Sequence, residues 1–193
     1  MAEPQETARE PALTAGPAWQ PGDARADVAS ILRVDQAGEY GATRIYAGQL
    51  AVFGGRHPMA REIARMAVQE ERHLSTFDRM LAEQGVRPTV LQPFWDVAGY
   101  WLGAATALIG PEAAMACTAA VETEIDDHYS EQLRALGDQE PELSALIEEF
   151  RLEELEHRDT ALASGAEHAP AYPLLSAVIR AGCRAAIRLS RRI

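Results

Sequence analysis

Two short spacings could do chemistry in this chain: Glu70-x-x-His73 and Glu154-x-x-His157. Residues three apart share one face of a helix, so each motif can aim a carboxylate and an imidazole at one partner. Glu makes up 20 of the 193 residues, so either motif alone is a weak signal. Repetition gives it weight. The stretch "EYGATRIYAGQL" lies over "ETEIDDHYSEQL", with Glu39/Glu122, Tyr46/Tyr129, Gln49/Gln132 and Leu50/Leu133 at equal offsets. Glu70 follows Glu39 by 31 residues, and Glu154 follows Glu122 by 32. Two helix pairs therefore carry one chemical plan.

The plan is a metal site. Glu39, Glu70, Glu122 and Glu154 facing one interior would repel each other and be costly to bury. Two divalent cations would neutralise them. With His73 and His157 the ligands mix carboxylate and imidazole, which suits iron or manganese. One Glu from each of two helices and Glu-x-x-His from each of two others is the ligand set of di-iron and di-manganese carboxylate bundles. Glu39 and Glu122 are the expected bridging carboxylates. Glu71, Glu153 and Glu156 read as solvated helix faces. Tyr46 and Tyr129 each fall seven residues after a ligand Glu, and either line the site or belong to the core. Asp35 and Asp126, four residues from a ligand Glu, are candidates to orient a ligand histidine. Cys117 and Cys183 are 66 residues apart with no CxxC, which excludes a zinc ribbon, a cysteine-held cluster or a redox dithiol. They read as buried apolar groups in a reducing compartment.

Long helices must position these side chains, and the punctuation for them is clear. Asp27 caps a first helix to about Phe53; "GGRHP" breaks it, and Pro58 opens a second that stops at Gly85. A third runs from Pro111 to near Gly137, a fourth from near Pro141 to Gly165, and a last helix spans 174–192. Two short turns and one long link, 85–110, give the connectivity of an all-α, ferritin-like four-helix bundle with one crossover. The link carries a single charge, Asp96, in "FWDVAGYWLGAATALIG". Its length alone would allow a membrane span, but Pro111 interrupts the run, so it reads as an interfacial or buried crossover helix. Gly38 and Gly41 stand inside the first helix, where each costs about 1 kcal/mol. They have no counterpart in the second repeat, so they serve something local to that helix: clearance for a ligand, or close helix contact.

The net charge is −11, and nucleic acid is excluded as a partner because phosphate binding needs a basic surface. All 29 acids precede residue 171, whereas the last 23 residues hold five arginines and no acid. Arg180, Arg184 and Arg188 recur every fourth residue, so the last helix reads as a basic amphipathic helix for an anionic surface, or else as a docking helix. Residues 1–25 are rich in Pro, Gly and acid, lack a signal-peptide core, and read as a flexible arm before a domain at 26–193.

Taken in order, "RVDQAGEYGATRIYAGQ", "QEERHL", "RPTVL", "GPEAAMACTAAVE", "EELEHRD", "APAY" and "AGCRAAI" resemble the demethoxyubiquinone hydroxylase family of ubiquinone biosynthesis. The likeness runs from about residue 31 to the C-terminus. Gln36 departs from the family's "VDHAGE", at a position that is not a ligand. The resemblance implies a centre of two iron ions (Fe2+/Fe3+) held by Glu39, Glu70, His73, Glu122, Glu154 and His157. It implies O2-dependent hydroxylation of a polyprenylated quinone ring, with NADH as reductant. It implies a peripheral membrane protein on the cytoplasmic face of a bacterial inner membrane. Other ubiquinone-biosynthesis proteins and a second copy of the chain are candidate partners. His128, six residues after Glu122 and off the ligand face, is near the site by resemblance, or a satisfied core histidine. Two other readings remain. Another ferritin-like oxidase or iron-handling protein would explain the ligands but not the apolar crossover and basic tail. A quinone- or lipid-binding partner protein would explain the apolar segments but not six ligands on a repeated plan.

Overall fold

A computed structural model describes residues 26–55 and 57–192; the expected flexible arm, 1–25, lies outside them. The described residues form six α-helices: α1 (Val28–Phe53), α2 (Pro58–Gln84), α3 (Gln92–Ile109), α4 (Pro111–Leu136), α5 (Pro141–Ala163) and α6 (Tyr172–Ser190). One turn of 3-10 helix (Ala166–His168) precedes α6. The ends follow local chemistry. The Asp27 carboxylate accepts the Ser30 N–H at 3.1 Å and caps α1. Proline stands in the first turn of α2 through α6, where its missing N–H costs nothing. Gly85, at φ 63°, closes α2 in the left-handed conformation. Gly110 alone joins α3 to α4, at φ 152°. The last helix starts at Tyr172, two residues earlier than predicted, because Pro173 fits its first turn.

α1 packs on α2 and α4 on α5, while α3 lies along α1 and α6 along α4. This is an all-α, ferritin-like bundle with the crossover helix on its outside. Among the described residues a cluster of Ile45, Cys117, Val121 and Ile179 joins α1, α4 and α6, and two larger apolar clusters fill the bundle. One gathers Tyr46, Ile63, Met66 and Met115; the other gathers Leu32, Phe77, Tyr129 and Phe150.

The α1–α3 contact depends on absent side chains. A Cβ at Gly103 would stand 1.9 Å from the Ile45 carbonyl oxygen, and one at Gly48 would stand 2.1 Å from that of Tyr100. Only glycine lets the two backbones approach so closely. Asp96, the lone charge of α3, ties it to α1: it lies 2.7 Å from Arg44 Nε and accepts the Tyr40 hydroxyl at 2.9 Å. Trp95 Nε1 donates to Ser190 Oγ at 3.2 Å and links α3 to α6.

Two of the three arginines that recur along the last helix serve docking, the second of the two readings of the basic tail. Arg180 and Arg184 both turn inward onto the Glu124 carboxylate of α4, with Arg184 Nη1 at 2.6 Å, and Arg180 also reaches Asp127 at 3.3 Å. Glu124 is only 4% exposed, and a carboxylate so buried needs cations beside it. The exposed part of α6 mixes Leu174, Val178 and Leu189 with Arg188. On α3, Phe94, Val97, Trp101, Leu108 and Ile109 are exposed as well. No described helix is long and apolar enough to cross a membrane.

Gly103→Ala is expected to destabilise the fold by about 1–3 kcal/mol, as overpacking does. Gly182, with nothing within 4 Å of its added Cβ, is the control, and Gly182→Ala is expected to be neutral or stabilising. Urea midpoints compare the two variants; an unchanged midpoint for Gly103→Ala would refute the close-approach account.

Candidate metal centre

Four helices bring the repeated motifs together: Glu39 from α1, Glu70 and His73 from α2, Glu122 from α4, Glu154 and His157 from α5. None is more than 1% exposed. They form two overlapping groups, Glu39–Glu70–His73–Glu154 and Glu70–Glu122–Glu154–His157. In each group the donor atoms lie within 4.8 Å of one another. Glu70 and Glu154 belong to both groups, whereas Glu39 and Glu122 belong to one each. The carboxylates common to the two groups are therefore not the pair, Glu39 and Glu122, expected from the sequence to bridge. The reason is geometric: the Glu-x-x-His helices face each other across the centre, so their carboxylates fall between the two histidines.

The donor set fits cations. Glu39 Oε2, both Glu70 oxygens, His73 Nδ1, Glu122 Oε2 and Glu154 Oε1 are buried without a hydrogen-bond partner. Buried polar atoms are normally paired, and so dense a set of unpaired donors of electron pairs is what a metal completes. Both histidines aim Nδ1 inward. His73 Nδ1 lies 2.9 Å from Glu154 Oε1 and 3.4 Å from Glu39 Oε2. His157 Nδ1 lies 3.0 Å from Glu70 Oε1 and 3.0 Å from Glu154 Oε2.

The groups around the donors come from the opposite repeat. Tyr46, seven residues after Glu39, donates its hydroxyl to Glu122 at 2.9 Å. Tyr129, seven residues after Glu122, donates to Glu39. Both tyrosines thus line the cluster and fill the core. His73 Nε2 meets Glu153 Oε2 at 2.6 Å, so Glu153 is not a solvated residue. His157 Nε2 meets Gln69 Oε1 at 3.1 Å. Asp35 and Asp126 do not orient the clustered histidines. Asp35 accepts from Gln132 Nε2 at 2.6 Å and lies 3.4 Å from His128 Nε2; Asp126 pairs with Arg151 at 2.8 Å. His128 is a buried, satisfied histidine, with Arg191 3.2 Å from its Nδ1. Local spacing could not show these pairings, because each joins helices far apart in the chain.

Beside this cluster a cavity of about 310 Å³ opens between α1, α3, α4 and α6. Its wall is almost wholly apolar and includes Gly38, Gly41, Leu102, Val121, Ile179 and Cys183. Gly38 and Val121 adjoin Glu39 and Glu122 in the chain, so the cavity lies against the backbone that carries two of the acids. A Cβ at Gly38 or Gly41 would meet nothing within 4 Å, so their missing side chains widen the cavity. Close helix contact in α1 falls to Gly48 instead, a role not read from the sequence.

Charge is poorly balanced without cations. Burial and then the neighbouring carboxylates, Glu154 foremost, push Glu70 and Glu122 well above the ordinary carboxylate range. Burial pulls His73 down, but Glu154 and Glu39 outweigh it and lift the imidazole to about 11. Burial also opposes ionisation of Glu154, yet His157 and His73 hold it down to about 2. The metal-free folded state thus keeps protons that the unfolded chain sheds above 4.5 at Glu70 and Glu122 and above 6.5 at His73. Its stability falls as pH rises through those values toward the raised ones. Glu154 acts oppositely, but only below 4.5. Between about pH 6 and pH 9 the denaturation midpoint of metal-free protein is expected to fall, and Mn2+ or Fe2+ to remove the fall by replacing the protons. A midpoint that rises over this range without metal would contradict the charge account.

Comparison with known proteins agrees with this arrangement. The family described as Ubiquinone biosynthesis protein COQ7 matches residues 26–190. The 3-demethoxyubiquinol 3-hydroxylase of Rhodospirillum rubrum is 56% identical over 163 residues, covering 84% of this chain and 77% of that protein. The NADPH-dependent 3-demethoxyubiquinone 3-hydroxylase of Homo sapiens is 54% identical over 173 residues, covering 88% and 79%. The 5-demethoxyubiquinone hydroxylase of Saccharomyces cerevisiae is 41% identical over 179 residues, covering 84% and 77%. With the family matched over nearly all the described residues, and with the repeated acid and histidine plan buried at the centre of the bundle, this chain belongs to the COQ7 family of ubiquinone-biosynthesis proteins.

Proposed function

We propose that this chain hydroxylates the ring of a polyprenylated demethoxyubiquinone or its quinol, using O2 and a centre of two iron ions. Glu39, Glu70, His73, Glu122, Glu154 and His157 would hold the iron. The observation that carries the reading is an apolar cavity beside a buried, electron-donating cluster. The net reaction places one atom of O2 in a ring C–H bond and releases the other as water. The electrons come from a reduced nicotinamide nucleotide; the resemblance gives NADH, and the name of the human relative specifies NADPH. Iron, when bound, supplies the activation of O2 that the side chains cannot.

The chain's own residues do the rest. The apolar wall holds the flat ring and keeps water from the reacting face. Gly38 and Gly41 leave width for the ring on the side of Glu39. Tyr46 and Tyr129 fix Glu122 and Glu39 by donating to one oxygen of each, leaving the other for the metal. Trp95 and Val178 line the cavity at the edges of α3 and α6, where the exposed apolar residues begin. A polyprenyl tail would leave by that edge, and the same surface would rest on the bilayer as a peripheral membrane protein does.

Expression in a hydroxylase-deficient, ubiquinone-requiring strain is expected to restore ubiquinone and clear demethoxyubiquinone. Glu154→Ala is expected to purify without iron and restore nothing. Gly41→Val is expected to bind iron normally but lose roughly tenfold or more in turnover, the consequence of misplacing a substrate. Failure of the folded, iron-loaded parent chain to restore ubiquinone would overturn the reading in favour of another iron-handling protein. For the membrane surface, Trp101→Glu combined with Val178→Glu is expected to abolish flotation with phospholipid vesicles while iron content stays unchanged; undiminished flotation would place the contact elsewhere.

A further inference from the structure

The two repeats match in their inward donors but not in what stands behind the histidines. The residue just before the shared glutamate of one helix holds the histidine of the other. Glu153, before Glu154 on α5, meets His73 Nε2 at 2.6 Å. Gln69, before Glu70 on α2, meets His157 Nε2 at 3.1 Å. One partner is a carboxylate and the other a neutral amide. Their surroundings keep them so. Glu153 is paired with Arg72, whose guanidinium also binds Glu149 at 3.0 Å and lies over the Phe150 ring. Phe150 in turn stacks on His73 with ring centres 3.9 Å apart, so the whole group holds one imidazole in place. Gln69 Oε1 accepts from Arg65 Nη1 at 3.0 Å.

With Nδ1 facing the donor cluster, each histidine has its Nε2–H free to donate outward. A hydrogen bond from that N–H to a carboxylate makes the imidazole a stronger electron donor than one to an amide does. We propose that Glu153 and Gln69 are positioning residues that make the two metal sites unequal, the site at His73 binding its ion more tightly and filling before the site at His157. This rests on reading the cluster as a two-metal centre, but not on the identity of the substrate.

Stepwise titration of metal-free protein with Mn2+ and with Fe2+ under anaerobic conditions, followed by calorimetry, tests the inference. The parent chain is expected to bind in two separate steps. Glu153→Gln should weaken the tighter step by about 10- to 100-fold, and Gln69→Glu should tighten the weaker one. Opposite shifts from these near-isosteric changes would not follow from a merely structural role. Glu149→Gln removes a charge from the same arginine without touching His73, and both affinities are expected to stay within about twofold. Glu153→Asp is expected to recover part of the lost affinity. Two equal sites in the parent chain, or parent-like affinities in Glu153→Gln, would overturn the inference while leaving the two-metal reading intact. No binding of either ion by the parent chain would overturn both.

Discussion

Four carboxylates in a dry bundle interior cannot all be ionised without cations among them. That repulsion is the constraint on which the rest of the structure depends. Hydrogen bonds relieve only part of it, since two tyrosines each serve one oxygen of one acid and many inward oxygens stay unpaired. The helices are long because the acids must be buried at mid-height, between an apolar cluster around Met66 and Met115 and another around Phe77 and Phe150. Short turns within each helix pair keep the motifs in register. The long crossover frees α3 to lie on the outside of α1, where it builds a cavity rather than a core.

The bracing of the site is crossed throughout. Tyr46 serves Glu122 and Tyr129 serves Glu39; Gln69 serves His157 and Glu153 serves His73. No half of the molecule completes its own chemistry. A side chain on one repeat is held by the other, which ties assembly of the centre to the docking of the two helix pairs. The asymmetry between Glu153 and Gln69 stands out because everything else in this bracing is matched.

Much of this was legible in the sequence. Proline and glycine marked the helix limits because their effects are local. The six clustered residues emerged because Glu and His at one repeated spacing on two helix pairs converge on a single interior, where only a shared cation suits them. What local spacing could not carry was which residue meets which across the bundle. Glu153 looked like one more acid on a solvated face, because nothing near it in the chain reveals His73. Arg180 and Arg184 looked lipid-facing for the same reason, since their partner Glu124 lies 56 and 60 residues away. Gly48 and Gly103 carry no signal in their own neighbourhood, because the need for them arises only where two backbones meet. The repeat shows equivalence, not which helices face each other, so it could not show that Glu70 and Glu154 are the carboxylates common to both groups.

Gly38 and Gly41 leave a further mark on α1. Each weakens the helix by about 1 kcal/mol, and they flank Glu39, so the stretch of α1 that carries the acid is one its own sequence holds weakly. One segment therefore serves as both a wall of the cavity and an anchor of the centre. Within that stretch Tyr129 holds Glu39 from the inside and Asp96 of α3 holds Tyr40 from the outside, while Gly38 and Gly41 open to the cavity. On the side of the acids the cavity is thus walled by a part of α1 that its own sequence holds weakly, and whatever steadies Glu39 steadies that wall too.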